Sequence, residues 1–543
     1  MIRALPAVRP RWRSGADIVI VGSGAAGIAA ALAAAARGKQ VLMVTKDLTG
    51  GATPLAQGGM AAAIGPGDSA ARHARDTIDA GAGLCEPETV ATLAAGAPTA
   101  ISRLAALGAR LERVSLRLEG GHSRHRIVHA GGDATGAEVH RVLREALLAS
   151  PVRVLDSTAA LDLLLTEEGV VGGLLAATIG PGGELDPGVV TAGSVVLAAG
   201  GLGQAFATTT NPPGTTGDAL ALAARAGARL RDPEFVQFHP TVLWETRTGQ
   251  RPLITEALRG AGAVLRDLDG RPLMAGRHRL GDLAPRDVVS AVMHERIDDG
   301  ARHLWLDATA LGAGVLETGF PAVTAACRAR GIDPVTEFIP VAPGAHYSCG
   351  GVQADMDGRT SVPGLYAVGE AASTGLHGAN RLASNSLTEA VIAGRRAGGA
   401  VGAPEAAGSA RPSGTPLPPP PGPGVSAASW PALAAAMSRY AGVLRDRAGL
   451  DSLLRAAREV PEARQETAGS VRAGELDLAV VEATNLHTVS VLVATAALRR
   501  EESRGCHRRR DAPWTRPDAR HTVLHWDGGG LRDVADAPVG MAS

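Results

Sequence analysis

Aromatic side chains are scarce: Phe, Trp and Tyr together make up 3% of the 543 residues. A core must then be built mainly from Ala, Val and Leu, and 70 glycines imply many close backbone approaches. Net charge is missing too, with 54 Lys and Arg against 54 Asp and Glu. No overall field draws such a chain to nucleic acid or to an anionic membrane, and neither is expected as a partner. Cysteine is sparse, and Cys85, Cys327, Cys349 and Cys506 form no C-x-x-C pair. That argues against a structural zinc or a disulfide framework and makes a reducing cytoplasm the default setting. The segment before Asp17 is arginine-rich but has no apolar stretch of its own, so it reads as a loose terminus. The apolar run over residues 17–36 is about long enough to cross a membrane, but four Gly and Ser residues interrupt it and alanine is only weakly apolar.

What is present begins in that same run. DIVIV (17–21) reads as a buried parallel strand, and Gly22, Gly24 and Gly27 then take the G-x-G-x-x-G spacing that opens a helix. Gly22 permits the tight turn, Gly24 lets backbone approach a pyrophosphate, and Gly27 lets helix pack on strand, which makes a dinucleotide site. A second strand, VLMVT (41–45), ends in Thr45 and Lys46 where a nicotinamide-binding unit often carries a carboxylate. Thr45 offers a hydroxyl to a ribose and Lys46 a charge to a phosphate. GGATPLAQGGMAAA (50–63) is too glycine-rich for a regular element and too apolar for an ordinary loop, so it reads as backbone lying against a flat ligand.

A length of 543 residues predicts three or four domains. Helical periodicity runs over 86–107, and VRVLDS, LDLLLT and VVGGLLAATI predict a small antiparallel layer that ends in SVVLAAGG (194–201). After FVQFHPT (235–241) the glycine-punctuated β-α-β rhythm stops until GLYAVGE (364–370), which points to an inserted domain. The stretch rich in Pro, Gly, Ala and Ser that includes PLPPPPGPG reads as an extended linker. Leu433, Met437, Tyr440 and Leu444 then follow a helical step, and the basic tail RGCHRRRDAP reads as solvated helix-end charge. The expected architecture is α/β: a discontinuous Rossmann-like FAD-binding domain (15–235 and 351–403), an inserted α+β capping domain (236–350), a linker (404–426) and a C-terminal helical bundle (427–543).

The cofactor in that expectation comes from a resemblance. The fingerprint, AQGG, LAAGG, FHPT, TEALRG, PRD, AHYSCGG, AVGE and HGANRLASNSL, in that order, resemble the flavoprotein family of succinate dehydrogenase, fumarate reductase and L-aspartate oxidase, closest to the last. The likeness covers 17–398, with an echo at ESRGCH (502–507). It implies FAD bound through Gly22, Ser23, Gly24, Ala25, Ala26, Gly27, Lys46, Ala52, Thr53, Gln57, Gly58, Gly59, Asp218, Glu370, Ser386 and Leu387. In the dehydrogenase relatives a histidine before AQGG attaches the flavin; Ala52 stands there, so the FAD is expected to be non-covalent.

The resemblance also implies a C4 dicarboxylate held at both ends, by His239, Thr255 and Glu256 on one side and by His346 and Arg381 on the other, since a buried carboxylate needs a charged or hydrogen-bonding partner. Arg286, in LAPRDVV, matches the arginine to which the family assigns proton transfer. A guanidinium pKa above about 12 makes it a poor proton acceptor, so electrostatic stabilisation stays open as its role. Glu119 begins EGGHS and offers an anion to an α-ammonium that succinate lacks. His122, His125 and His129 lie in a loop that offers no fixed helical i, i+4 pair of ligands, and no metal is expected. The implied activity is oxidation of L-aspartate to iminoaspartate, with reoxidation by O2 or by fumarate, opening de novo NAD synthesis through quinolinate. The alternatives are a soluble fumarate reductase or succinate dehydrogenase flavoprotein subunit, a non-catalytic FAD-binding subunit of an electron-transfer assembly, and a nicotinamide-dependent dehydrogenase, which Thr45 and Lys46 disfavour.

Overall fold

The computed structural model describes residues 2–402, 416–463 and 476–536. Its central sheet is assembled from β1 (Trp12–Val21), β2 (Val41–Val44), β3 (Arg153–Leu155), β4 (Thr158–Leu165), β5 (Val171–Ile179), β6 (Leu185–Leu197) and β7 (Leu365–Ala367). β3, β2, β1 and β6 lie side by side in parallel, and β7 adds to β6 in parallel at Val195–Leu197. The first half of β6 instead pairs antiparallel with β5, which pairs with β4. One long strand thus serves three neighbours, with β5 and β7 sharing the edge opposite β1, and β7 brings the chain back into the first domain after the insertion. α1 (Ala25–Ala35) covers the sheet, and the helix Asn385–Ala400 packs on α1 so closely that a Cβ on Gly394 would meet the Ala26 carbonyl oxygen at 2.2 Å.

Strand formation starts earlier than the apolar run suggests, because Trp12 already pairs with Gly188. The preceding segment is not loose: Ile2 and Leu5 are buried in two separate apolar clusters, and that burial outweighs the cost of ordering it.

The cap carries its own core, with Leu258, Met293, Phe320 and Val341 fully or almost fully buried. Its main antiparallel pair is Val236–Leu243 with Ile339–Ser348, and its helices include Glu256–Gly260 and Arg286–Asp298. Both helices start next to the central cleft, which puts their first residues at the site.

Of the expected linker, 404–415 lies outside the described residues. The part that follows is extended and tied down: Leu417 exchanges two backbone hydrogen bonds with Leu165, and Gly422 donates to the Leu5 carbonyl at 2.9 Å. The helical patterning beyond it resolves into Trp430–Tyr440, Arg447–Glu459 and Leu478–Arg499, with Leu444 in a two-residue strand instead of a helix. Leu478–Arg499 is long and apolar enough to cross a membrane, but 72% of its apolar window is buried inside the protein, where it forms the core of this unit. The basic tail is not solvated as a whole. Arg504 and Arg509 are buried, and so is Arg500 just before the tail, which pairs with Asp232, Glu234 and Glu502 at 3.2, 2.6 and 2.9 Å. Asp232 and Glu234 are distant in sequence, so their pairing with Arg500 is not visible there.

Candidate active site

A cleft of about 860 Å³ runs from the glycine turn after β1 to the underside of the cap. Gly22 adopts φ 106°, and a Cβ there would lie 2.4 Å from the Ala198 carbonyl oxygen. Gly27 does not line the cleft: its Cβ would strike the Gly22 carbonyl at 2.0 Å, so it serves helix–strand packing. Ser23, Gly24, Ala25 and Ala26 do line it, at the N-terminus of α1, where the cap residue Gly24 has no side chain to bond the helix amides. The Ala25 amide donates to Thr53 Oγ1 at 3.1 Å, which draws the Ala52–Gly59 loop over the turn. The Ser23 hydroxyl lies 2.8 Å from Thr45 Oγ1.

Lys46 and Asp218 meet each other. Lys46 Nζ sits 2.8 Å from Asp218 Oδ2, 2.6 Å from Glu482 Oε1 and 3.1 Å from Thr216 Oγ1. Burial opposes its charge, but the two carboxylates outweigh burial and raise the Lys46 pKa. Glu370 accepts from the Ser348 amide at 3.0 Å, and burial pushes its carboxyl up to about 7. Ser386 and Leu387 stand in the first turn of Asn385–Ala400, where the Ser386 hydroxyl accepts from Arg381 Nη1 at 2.8 Å.

At the cap end, Arg286 is the first residue of its helix. Its Nε donates to Glu256 Oε2 at 2.9 Å and its Nη1 to Gln237 Oε1 at 3.0 Å. The neighbouring Asp287 is turned away and pairs with Arg508 at 2.6 Å, so Arg286 and Asp287 are not partners of one another. Glu256 also accepts from Arg259 at 2.7 Å; burial disfavours its charge, yet Arg286 and Arg259 hold the carboxyl down at about 2. Thr255 caps the helix that presents Glu256.

The rings of His239 and His346 meet edge to face at 5.1 Å, and burial together with the nearby guanidinium of Arg286 keeps both far below the ordinary histidine pKa. Neutral imidazoles can direct hydrogen bonds to a carboxylate without a second buried charge. His346 Nδ1 shares a hydrogen bond with Thr210 at 2.7 Å. Arg381 stacks on Tyr347 at 4.5 Å, and burial, helped by Arg286, lowers its pKa to about 10. Glu119 enters the cleft opposite, accepting from Ser384 Oγ at 2.6 Å; burial and then Glu256 raise its pKa. His122 instead bonds the Ala383 carbonyl at 2.9 Å and His129 lies 3.4 Å from Glu112, so those histidines do not converge.

A large polar ligand fits this cleft. Among the described residues, Gln57 Oε1, His239 Nε2 and Arg381 Nε are buried on its lining without a partner, and a Cβ on Gly24 would meet only Thr53 Oγ1 at 3.3 Å, which leaves that backbone open to close approach. Four residues that sequence reasoning did not single out hold the site together: Gln237, Ser384, Glu482 and Asn485. Gln237 and Ser384 lie inside motifs already noted, but nothing in the text near Glu482 and Asn485 points to a cleft.

Residues 17–387 match the FAD binding domain family, and residues 431–541 the family described as fumarate reductase flavoprotein C-term. The chain is 47% identical over 527 residues to L-aspartate oxidase of Streptomyces coelicolor, covering 93% of this chain and 90% of that one. It is 46% identical over 539 residues to L-aspartate oxidase of Mycobacterium tuberculosis, covering 95% and 96%. Among solved structures, a quinol-fumarate reductase with menaquinol molecules superposes with a TM-score of 0.84 at 30% identity, covering 98% of this chain and 99% of that one.

Proposed function

The chain belongs to the FAD-binding flavoprotein family that includes the L-aspartate oxidases, and on that premise we propose that it oxidises L-aspartate to iminoaspartate. The observation that carries this reading is a carboxylate, Glu119, buried in the same cleft as Arg286 and Arg381. A four-carbon diacid explains the two arginines, but only a substrate with an ammonium explains the acid. An arriving ammonium favours the ionised form that burial disfavours, so the pair forms with the substrate in place.

FAD, when bound, supplies the hydride acceptor and passes two electrons to O2, giving H2O2, or to fumarate, giving succinate. The substrate ammonium gives up one proton to a base or to solvent, and the chain's own groups bind and orient the substrate. Arg381 holds one carboxylate, with the neutral His346 beside it. His239 and Thr255 serve the other. Arg286 is fixed at Nε and Nη1, which leaves Nη2 without a partner among the described residues for the substrate end of the cleft. Glu256, ionised by its two arginines, sets the direction of that guanidinium. The Ser23–Ala26 turn, the Ala52–Gly59 loop, Glu370, Ser386 and Leu387 hold the cofactor, and the Ala52 methyl offers no atom for a covalent link.

Iminoaspartate is unstable, so an enzyme that consumes it must act soon after. Quinolinate synthase, in the first steps of de novo NAD biosynthesis, is the reading we favour, in a cytoplasmic setting that suits four free cysteines.

Anaerobic mixing of the FAD-loaded protein with L-aspartate, D-aspartate and succinate in turn tests the proposal. Loss of flavin absorbance with L-aspartate alone is expected. Loss with succinate alone overturns it in favour of a fumarate reductase or succinate dehydrogenase subunit, and no loss with any of the three indicates a non-catalytic flavin carrier.

A further inference from the structure

Asp218 lines the cleft but is held from behind by the C-terminal unit. Asn485, fully buried on Leu478–Arg499, donates its amide to Asp218 Oδ1 at 2.9 Å. Thr216 donates to the same oxygen at 2.8 Å. The Asn485 amide cannot be reversed, because its Oδ1 accepts from Arg225 Nη1 at 2.9 Å and a guanidinium has no acceptor to offer. Arg225 is in turn locked by Asp162 at 2.6 Å and the Leu161 carbonyl at 3.0 Å.

One turn earlier on the same helix, Glu482 takes the Lys46 ammonium. Lys46 has three donors, and Asp218, Glu482 and Thr216 occupy all three. It has none left for a phosphate, so its charge acts through Asp218. Counting acceptors, Asp218 Oδ1 receives two hydrogen bonds and Oδ2 one, which leaves one lone pair for a hydroxyl in the cleft.

We propose that Asn485 and Glu482 complete the FAD site from behind: they are positioning residues that orient Asp218, directly and through Lys46, to accept a cofactor hydroxyl. The inference rests on the reading that FAD occupies this cleft, and it makes the C-terminal helix part of the cofactor site. Burial disfavours the charge on Asp218, and Lys46, Asn485 and Thr216 together more than offset it, in keeping with a carboxylate held ready as an acceptor.

The test is Asn485→Asp in the full-length protein, depleted of FAD and titrated with it while flavin fluorescence is followed. The new carboxylate keeps the Arg225 pair but faces Asp218, with Lys46 and Glu482 the other charged groups nearby. At about pH 9 the FAD dissociation constant is expected to be about 10-fold above that of the parent, converging on it by about pH 6 as a shared proton restores the lost donor. Thr216→Val, which deletes the other Oδ1 donor, is expected to raise the constant without adding a pH dependence, and it stands in if the first variant does not fold. Parent-like affinity at every pH in Asn485→Asp overturns the proposal, and so does an equal loss at every pH, which marks a packing role. Parent-like affinity in Thr216→Val, where it stands in, overturns it as well. A parent that takes up no FAD overturns the cofactor reading and this inference with it.

Discussion

The hydroxyl of Ser384 donates to Glu119 Oε2 at 2.6 Å and accepts from the Gly59 amide at 3.1 Å. Ser384 does this from a left-handed backbone conformation, φ 59°, at the start of Asn385–Ala400. The glycine loop on the cofactor side and the carboxylate on the substrate side are therefore joined by one hydroxyl. Such a conformation costs about 1 kcal/mol or more for a non-glycine residue, and the two hydrogen bonds offset it.

Glu119→Gln keeps the shape and the Ser384 contact but removes the charge. The KM for L-aspartate is expected to rise about 10-fold or more, while fumarate reduction with an artificial electron donor changes little. Steady-state kinetics on both reactions check this, and an equal loss in both would assign Glu119 to folding rather than to the amine.

Arg286→Lys keeps a positive charge but cannot reach Glu256 and Gln237 together from one rigid fork. A fall in kcat of about 100-fold or more is expected, with FAD still bound as judged by its absorbance. Unchanged turnover would remove Arg286 from the chemistry.

Glu370 sets a pH window in the FAD-free protein. Burial raises its carboxyl from the ordinary 4.5 to about 7, so the folded state binds this proton more tightly than the unfolded state. Stability contributed by Glu370 is then present below pH 4.5, declines as pH rises to about 7, and is level above that. The decline amounts to roughly 2 kcal/mol once solvent in the cleft is allowed for. Urea unfolding between these limits should show it, and Glu370→Gln should flatten it.

Gly394→Ala places a Cβ 2.2 Å from the Ala26 carbonyl oxygen, in the seam between two helices that cannot separate without moving the glycine turn. A loss of roughly 2–3 kcal/mol is expected, together with weaker FAD uptake. Thermal unfolding and flavin retention measured on the same sample would test the coupling.

The parts of the fold legible in the text were those where a local steric demand leaves a mark. Gly22 and Gly27 are forced by contacts with neighbouring backbone, and any sequence that makes this turn must show them. Misreadings arose where the partner lies far along the chain. Ile2 and Leu5 read as a loose end because their clusters are built from distant strands, and Arg504 read as solvated because the Ala82 carbonyl that its guanidinium bonds lies far back along the chain.

The sequence by itself determined the nucleotide-binding turn, the inserted cap and the set of polar residues that an ordered series of motifs marks out. Only the tertiary structure decided how those residues are charged and aimed. It turned Lys46 onto Asp218 and Glu482, gave Arg286 to Glu256 and Gln237, and brought Asn485 to the back of the cleft. The reason is physical: backbone demands are local and act within a few residues, whereas the orientation of a buried charge is set by whichever partner the packing brings within about 3 Å.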